Sequence, residues 1–346
     1  VDSSVTAYLL KKAGHEVIGA TMSIWSNNEH VQSLHNKDAC YSPHEKDDME
    51  SARKVCQFLD IPYHVFDCTE AYKKLVLNNF RSEYLAGRTP NPCIWCNATI
   101  KFDALPLAAK ESGLMFDKFA TGHYARLDYH QDSQRYQLKA GLDEKKDQSY
   151  FLYRLKQEQL AKILLPLGDH TKQQIRQIAR EIGLKDVSEK PDSQDFYSGD
   201  INDIIGAKPK IGNFVNKDGK VLGQHHGIWN YTIGQRKGIG ISSATPLYVI
   251  GFNKDKNEIV LGEASDNLGQ SLMADNLAWL SIAGIEDKLI ASAKIRSSQA
   301  PEPVMVYKTG NDEVKVEFKT AQKSITPGQS VVFYDEDVVL GGGIIK

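Results

Sequence analysis

The pattern of apolar residues changes along this 346-residue chain, and that change limits the folds open to it. From residue 1 to about 165, β-rich apolar runs alternate with amphipathic helical segments. The alternation predicts a strand at 15–22, a helix at 46–59 and strands at 61–66 and 118–124. A doubly wound, mostly parallel α/β sheet follows from this order. Ligands of such sheets bind beyond the carboxyl ends of the strands, where Met22, Cys68 and Gly122-His123 are expected.

The rest of the chain predicts two further regions. Residues 166–215 begin with a breaker and a helix cap, followed by an amphipathic helix that forms a small central domain. Residues 216–346 consist of short segments divided by turns, and the alternation at 304–307 and 314–318 is that of a hairpin. We therefore predict three domains: the α/β domain at 1–165, the central domain at 166–215, and a C-terminal β-barrel region at 216–346.

Composition and charge limit the class of protein. With 41% hydrophobic and 25% charged residues the chain has the composition of an ordinary globular protein. Its net charge of −2 excludes a globally basic nucleic-acid binder, so any RNA contact must come from local patches. No apolar run approaches the roughly 20 residues of a membrane span, and five scattered cysteines do not make a disulfide framework. We expect a cytoplasmic monomer with no membrane association.

Two cysteines three residues apart give the strongest chemical signal. Cys93 and Cys96 lie in the segment TPNPCIWCN, whose prolines predict a loop, and the flanking Arg88 and Lys101 should favour thiolates. The pair fits a zinc half-site, a redox pair, a persulfide carrier or an iron–sulfur half-site. No second C-x-x-C or nearby Cys/His pair follows, which argues against structural zinc. The plausible additional thiols are those of Cys40 and Cys68.

The chain opens with Val1-Asp2-Ser3-Ser4 directly before a helical pattern. These residues are either an ordinary helix cap or the end of a phosphate-binding loop whose N–H groups hold an anion. The glycines and first strand of such a loop would precede residue 1, so we expect an N-terminal truncation. Two polar segments, 145–150 and 225–238, are either solvated turns or contacts to a phosphate backbone.

Taken together, these segments resemble the bacterial tRNA-specific 2-thiouridylases, the MnmA/TrmU family, along essentially the whole chain. The matching text, in the family's order, is VDSS, GATM, TPNP..CN..IKFD, ATGHYARL, KDQSYFLY, PDSQ, HHGI...TIGQRKGIGI, TPGQ and VLGGG. The resemblance implies an ATP-pyrophosphatase (PP-loop, adenine nucleotide alpha hydrolase-like) domain. It also implies that ATP, with Mg²⁺, adenylates the C2 oxygen of wobble uridine 34 in tRNA. A sulfur atom from a donor protein or sulfide then replaces that oxygen.

The resemblance also assigns roles to residues. It implies that ATP is bound by Asp2, Ser3, Met22 and Gly122, and that Cys96 is the first catalytic cysteine. The target base, splayed out of the anticodon loop, would be contacted by Asn91, Pro92 and Cys93. The further tRNA contacts that it implies are His123, Lys146, Asp147, Gln148, Arg296, Ser297 and Gln329.

Two departures from the family's pattern change the chemistry. The family's D-S-Q-x-x-C cysteine is Tyr197 in the segment 192–197, and the Asp of its N-P-D motif is Cys93. Three alternatives follow: a persulfide relay between Cys93 and Cys96, a [4Fe–4S] cluster on Cys40, Cys93 and Cys96, or a paralogue that only binds tRNA. A small-molecule PP-loop ligase is another class, but it needs neither the C-x-x-C pair nor the long β region.

Overall fold

The computed structural model describes residues 1–25, 39–184, 188–189, 196–197 and 199–346. Two π-helical segments, Lys73–Leu77 and Cys96–Ala104, continue α3 into α4 and α5 into α6. The helices are α1 (Asp2–Lys12), α2 (Glu45–Phe58), α3 (Thr69–Tyr72), α4 (Asn78–Leu85), α5 (Pro92–Trp95), α6 (Leu105–Glu111), α7 (Gln157–Leu160), α8 (Lys172–Glu181) and α9 (Ile201–Ile205). Among the helices of the described residues, none has both the length and the apolar character needed to cross a membrane.

The strands fall into an N-terminal, a central and a C-terminal group. Those of the N-terminal region are β1 (Gly19–Ser23), β2 (Tyr63–Asp67), β3 (Phe119–Ala120), β4 (Ala125–His130), β5 (Arg135–Ala140) and β6 (Ile163–Leu164). Those of the central group are β7 (Ile211–Val215), β8 (Val221–His226), β9 (Tyr248–Asn253) and β10 (Glu258–Gly262). The C-terminal group is β11 (Leu268–Trp279), β12 (Lys288–Lys294), β13 (Glu302–Gly310), β14 (Glu313–Lys323), β15 (Ser330–Asp335) and β16 (Val338–Ile345).

The N-terminal region has the predicted alternation of strands and helices, with parallel pairing. β1 pairs with β2 in parallel, and β3 pairs with β6 in the same sense. The strands are shorter than predicted: β1 and β2 begin later and end one residue later, and β3 has only two residues. α8 begins at the predicted place, where Thr171 caps the helix by accepting a hydrogen bond from the Gln174 backbone N–H at 3.3 Å.

The C-terminal strands form a closed barrel. Six strands pair in the order β11–β14–β13–β12–β15–β16, and β16 returns to β11 to complete the ring. The predicted hairpin is confirmed by the antiparallel pair β13–β14. Closure removes the exposed sheet edges that a flat sheet of this length would present. The central group forms a separate four-stranded sheet in the order β8–β7–β10–β9, around the buried side chains of Phe214, Val249 and Ile259.

The barrel and the N-terminal region share structure. β16 pairs with β5 at Val338 and Lys139, which adds the β4–β5 hairpin to the outside of the barrel. One hydrophobic cluster includes Leu138 of β5, Val332 of β15 and the intervening Tyr150. The barrel is therefore packed against the region that carries the C-x-x-C pair.

Candidate functional site

The two cysteines of the C-x-x-C pair lie on a helix rather than on the predicted loop. Pro92 occupies the first turn of α5, where its fixed φ suits a helix and its missing N–H costs nothing. Cys93 follows it, and Cys96 begins the π-helical segment. Residues three apart on a helix lie on one face, so the two thiols are neighbours. The prolines thus mark the start of a helix.

Burial dominates the acidity of these thiols. The pKa of Cys93 is raised to about 12. Burial is the largest cause, Cys40 and Cys96 also raise the pKa, and Lys101 lowers it. Burial raises the pKa of Cys96 to about 11 against the opposing charge of Lys101. Arg88, predicted to assist, instead donates to both carboxylate oxygens of Glu83. Both thiols are therefore protonated at neutral pH in this conformation.

A buried tyrosine links three of the cysteines. Tyr72 is almost completely buried, and its pKa is raised by burial and then by Cys96, Cys40 and Cys93. Cys40 is exposed, however, and the described part of the chain contains no group of three His, Cys, Asp or Glu side chains arranged to hold a metal ion. The predicted [4Fe–4S] set of Cys40, Cys93 and Cys96 therefore does not fit a cluster in this conformation.

The remaining thiols have packing roles. Cys68 follows β2 and is buried, and burial raises its pKa to about 11. Cys56 of α2 is also buried. Its sulfur would lie 2.4 Å from a Cβ added to Gly19, so the helix packs tightly on β1 at a glycine.

Tyr197, at the position of the family's second cysteine, is part of an aromatic cluster. Its hydroxyl donates to Asp203 Oδ2 at 2.9 Å, and its ring centroid lies 6.2 Å from that of Tyr41. Tyr41 in turn stacks on Tyr72, with centroids 5.6 Å apart. Tyr41 thus contacts both the phenol of Tyr197 and that of Tyr72. The preceding Asp192, Ser193, Gln194 and Asp195 lie outside the described residues.

The residues predicted to bind ATP include three that meet at the start of α1. Asp2 and Ser3 form its first turn, and a Cβ on Gly122 would lie 2.8 Å from Asp2 Cβ and 3.0 Å from the Ser3 nitrogen. Only glycine fits this approach. Met22 lies near the carboxyl end of β1, paired with Phe66. This is the sheet edge at which ligands of α/β folds bind.

Asp2 is held by groups from two other parts of the chain. Lys172, the first residue of α8, lies 2.9 Å from both carboxylate oxygens, and the Tyr124 hydroxyl donates to Oδ1 at 2.9 Å. The Lys172 side chain is almost fully buried and its ammonium lies over the Tyr124 ring. A cation is thereby fixed beside the start of α1, where the helix dipole also favours anions.

His123 lies between the nucleotide residues and the thiols. It follows Gly122 directly and is buried, with its Nδ1 atom 2.8 Å from the Thr121 hydroxyl. Burial and the charge of Lys101 hold its pKa well below the usual range, so the imidazole is neutral. Lys101 also lowers the pKa of Cys93 and of Cys96, so the charge of one ammonium influences all three groups.

Two of the predicted tRNA contacts at 146–148 have their side-chain oxygens bound within the protein. Asp147 accepts from the Gly141 and Ser149 backbone N–H groups and pairs with Lys294 Nζ at 3.0 Å. Gln148 accepts from the Tyr124 backbone N–H at 3.0 Å. Lys146, half-buried, is the cation of this segment. The segment is therefore anchored in a fixed shape.

The predicted contacts in the barrel lie beside the thiol helix. Arg296 donates to Thr326 Oγ1 at 2.8 Å, next to the half-buried Ser297. Gln329 donates to the Thr89 carbonyl at 2.8 Å, two residues before Asn91, the residue that precedes Pro92 and α5. The structure thus brings Asn91, Pro92 and Cys93 close to one end of the barrel.

Three family models match successive parts of this chain. The family model of the tRNA methyl transferase HUP domain matches residues 1–197, that of the tRNA methyl transferase PRC-barrel domain matches 201–263, and that of the aminomethyltransferase β-barrel domain matches 269–345. The tRNA-specific 2-thiouridylase MnmA of Endomicrobium trichonymphae is 51% identical over 347 residues, covering 100% of this chain and 96% of that protein. The MnmA proteins of Carboxydothermus hydrogenoformans and Clostridioides difficile are 45% and 44% identical, each over 100% of this chain and 95% of the relative. The chain belongs to the MnmA family.

Membership of the MnmA family confirms the resemblance found in the sequence, and it confirms the fold: a HUP α/β domain followed by a PRC barrel and a C-terminal β-barrel. Three residues that position the site were not identified from the sequence, namely Thr89, Lys172 and Lys294. Each acts on a partner more than 140 residues away, at Gln329, Asp2 and Asp147. No periodicity or spacing signals a contact of that kind.

Proposed function

We propose that this chain is a tRNA 2-thiouridylase that adenylates the C2 oxygen of uridine 34 and then replaces it with sulfur. One observation carries the proposal. The ring of His123 lies 5.6 Å from that of Phe102, which is in the π-helical segment that begins at Cys96, and His123 follows the Gly122 that packs on Asp2. Thiol chemistry and a nucleotide edge are therefore neighbours, as a reaction that couples adenylation to sulfur transfer requires.

In the first stage, the start of α1 binds the ATP phosphates. Backbone N–H groups at Asp2 and Ser3 point out of the helix terminus, and Lys172 adds a buried positive charge beside them. Mg²⁺ is usually held by substrate phosphates with one or two carboxylates, and Asp2 is the carboxylate at this position. Magnesium bound there would neutralise the departing pyrophosphate. The C2 oxygen of uracil attacks the α-phosphorus, which makes that oxygen a good leaving group.

In the second stage, Cys96 carries the sulfur and Cys93 releases it. A persulfide on Cys96 attacks C2 through its terminal sulfur, and AMP leaves with the former C2 oxygen. The Cys93 thiol then attacks the Cys96 sulfur and breaks its bond to the transferred sulfur, and the proton that Cys93 loses passes to the departing 2-thiouracil. The products are 2-thiouridine and a Cys93–Cys96 disulfide, which an external dithiol reduces. Adjacent thiols on one helical face suit this exchange.

The iron–sulfur alternative rests on Cys40. That residue raises the pKa of both Cys93 and Cys96, so the three thiols interact even though they are not arranged around a metal. A cluster would require the exposed Cys40 to turn towards the other two. We prefer the relay, because it needs only the two thiols that are already neighbours. Its sulfur source is a persulfide-bearing donor protein, which delivers sulfur already at the persulfide level, whereas free sulfide is the source that suits the cluster alternative. Its tRNA substrate is the cytoplasmic pool. We expect the enzyme to act as a monomer.

The test is an anaerobic thiolation assay with tRNA lacking the modification at uridine 34, ATP, Mg²⁺ and either a small-molecule persulfide or sulfide. The tRNA is digested and its nucleosides are weighed by mass spectrometry. We expect 2-thiouridine from the unaltered chain with the persulfide, and none from Cys96→Ala. Cys56→Ala is the matched control, because that buried thiol packs on β1, and it should retain activity.

Two further variants separate the alternatives. Cys93→Ala should accumulate tRNA bound to Cys96 through a disulfide, whereas Cys40→Ala should remain active under the relay. Loss of activity in Cys40→Ala, together with iron and acid-labile sulfide in the purified protein, would favour the cluster instead. Absence of thiouridine with either sulfur source, despite measurable tRNA binding, would overturn the proposal in favour of a protein that only binds tRNA.

A further inference from the structure

A turn of the C-terminal barrel is hydrogen-bonded to the segment just before the thiol helix. The Gln329 side-chain amide donates to the carbonyl of Thr89 at 2.8 Å and approaches that of Pro90 at 3.4 Å. In the other direction, the Thr89 N–H donates to the Pro327 carbonyl at 2.8 Å. A Cβ on Gly328 would lie 2.8 Å from the Thr89 nitrogen, so the two backbones are in close contact.

The turn is fixed on its barrel side. The Gly328 N–H donates to the Ile345 carbonyl at 2.8 Å, and the Ile345 N–H donates to the Gln329 carbonyl at the same distance. Arg296 braces the preceding residue by its bond to Thr326 Oγ1. The turn is therefore a fixed part of the barrel, and Thr89 and Pro90 are hydrogen-bonded to a fixed support.

The segment that it contacts has few other means of being held. Residues 86–91 connect α4 to α5, and neither Pro90 nor the following Pro92 has an N–H to donate. Asn91 precedes α5 without a side-chain capping bond. Among the described residues, the backbone N–H groups of the linker before Thr89 donate back into α4, whereas that of Thr89 donates to the barrel turn. The Thr89 hydroxyl also lies 3.4 Å from that of Thr232. The barrel turn therefore contributes to the position of the start of α5, and with it of Cys93.

We propose that Gln329 is a positioning residue for the thiols: its amide holds Thr89 and Pro90, and thereby fixes the start of the helix that carries Cys93 and Cys96. The effect of this positioning on sulfur transfer rests on the proposed function. The effect on thiol exposure does not, because exposure can be measured on the protein without tRNA or ATP. The alternative is that Gln329 acts only by contacting tRNA.

Alkylation of the thiols without any RNA distinguishes these roles. Cleavage after Arg88 and Lys101 releases residues 89–101, which contain Cys93 and Cys96 and no other cysteine. The rate at which iodoacetamide labels this peptide in the folded protein can therefore be followed by mass spectrometry. For Gln329→Ala we expect a rate about three- to tenfold higher, because the hydrogen bond lost is worth about 1 kcal/mol. Gln329→Glu, which cannot donate, should behave alike.

A second variant reaches the same contact without altering the amide. Gly328→Ala places a methyl group against the Thr89 nitrogen and the Arg88 Cβ and should also raise the labelling rate. Its matched control is Gly219→Ala, which has a similar positive φ of 81° against 90° but meets nothing within 4 Å. Equal backbone strain in the two variants isolates the contact with Thr89. The Gly219→Ala rate should equal that of the unaltered chain.

Kinetics provide the second readout. As a positioning residue, Gln329 should affect kcat at saturating tRNA, with about a tenfold fall in Gln329→Ala and no change in KM for ATP. Unchanged labelling rates in Gln329→Ala, Gln329→Glu and Gly328→Ala, with only KM for tRNA raised, would overturn the inference. If no variant or unaltered chain forms thiouridine but labelling rises as expected, the positioning role stands and the proposed function fails.

Discussion

At the scale of single residues, burial and charge have opposite effects on the pKa values of the C-x-x-C thiols, and thereby on their reactivity. Lys101 favours the thiolates, but burial opposes them more strongly, and the pKa of Cys96 settles at about 11. A thiol that is protonated at neutral pH is a weak nucleophile and is protected from oxidation. Both thiols are therefore mainly in the protonated, less reactive form at neutral pH.

The acidity of these thiols gives a pH prediction. Because their pKa values are about 11 and 12, the thiolate fraction should rise about tenfold per pH unit from pH 7 to 10. The iodoacetamide labelling rate of the 89–101 peptide in the folded protein should rise in parallel. In the urea-unfolded chain the rate should level off near the ordinary thiol pKa of about 8.5. A folded-state rate that levels off at the same pH as the unfolded one would contradict the dominance of burial.

The sequence identified these thiols but not their environment. The spacing of Cys93 and Cys96 is visible in one line of text, whereas burial depends on residues far along the chain. Arg88 illustrates the difference. Its proximity in sequence predicts a thiolate partner, but Glu83, five residues earlier in α4, accepts hydrogen bonds from its guanidinium instead. A basic residue near a cysteine in sequence does not predict a thiolate partner when a carboxylate also lies within reach of its side chain.

At the scale of secondary-structure elements, the nucleotide edge depends on the close approach of one loop to the start of α1. The loop carries Gly122, and the helix carries Asp2 and Ser3. Lys172, from the start of α8, fixes the same carboxylate from a third direction. The loop of Gly122, the start of α1 and the start of α8 are distant in sequence, and all three meet at the first turn of α1.

Substitution of Gly122 tests this junction. Gly122→Ala should push the loop away from Asp2 and Ser3, since the new methyl group would lie 2.8 Å from existing atoms. We expect weaker ATP binding, with Kd raised by about tenfold, measured by isothermal titration calorimetry. Gly251→Ala is the control, because a Cβ there meets nothing within 4 Å. Equal ATP affinity in the two variants would show that the approach is unimportant to the nucleotide.

Elements with a strong local signal were predictable, and elements defined by their neighbours were not. The start of α8 follows from Thr171 and the Gln174 three residues later, which make a capping box. The helix at Pro92 was mistaken for a loop, because proline marks both turns and first helical positions. The pairing of Lys172 with Asp2, across 170 residues, leaves no trace in either local pattern.

At the scale of the whole molecule, the barrel is joined to the α/β domain by a buried ion pair. Asp147 and Lys294 have side chains that are 4% and 10% exposed, and they connect the segment after β5 with the end of β12. A buried pair adds little net stability over an apolar pair, but removal of one partner leaves an uncompensated charge. The junction is therefore specific, and it is vulnerable to loss of either residue.

Loss of the Lys294 ammonium tests this vulnerability. Lys294→Met should lower the free energy of unfolding by about 3 kcal/mol, at the lower end of the usual range for a broken buried pair, because Asp147 retains its backbone donors. Urea unfolding followed by circular dichroism measures the change. Lys288→Met, on the same strand but exposed, should leave it within about 0.5 kcal/mol. Similar curves for the two variants would refute the structural role of the pair.

The three-part architecture was recoverable from the sequence, since the change from alternating helices and strands to short strands is a global property of the text. The closure of the barrel and its capture of the β4–β5 hairpin were not. Both depend on β16, whose glycines, Gly341 to Gly343, permit close approach to β11 and β15 but are weak signals of a strand.

The position of β16 has a consequence for how the protein is made. It closes the barrel against β11, pairs with β15 and β5, and through Ile345 brackets the turn that carries Gln329. All the other strands of the barrel emerge earlier from the ribosome. Until β16 emerges, the thiol helix of a nascent chain therefore lacks support from the closed barrel. Chains that stall before β16 would retain their cysteines and their nucleotide edge, yet lack the means to align them.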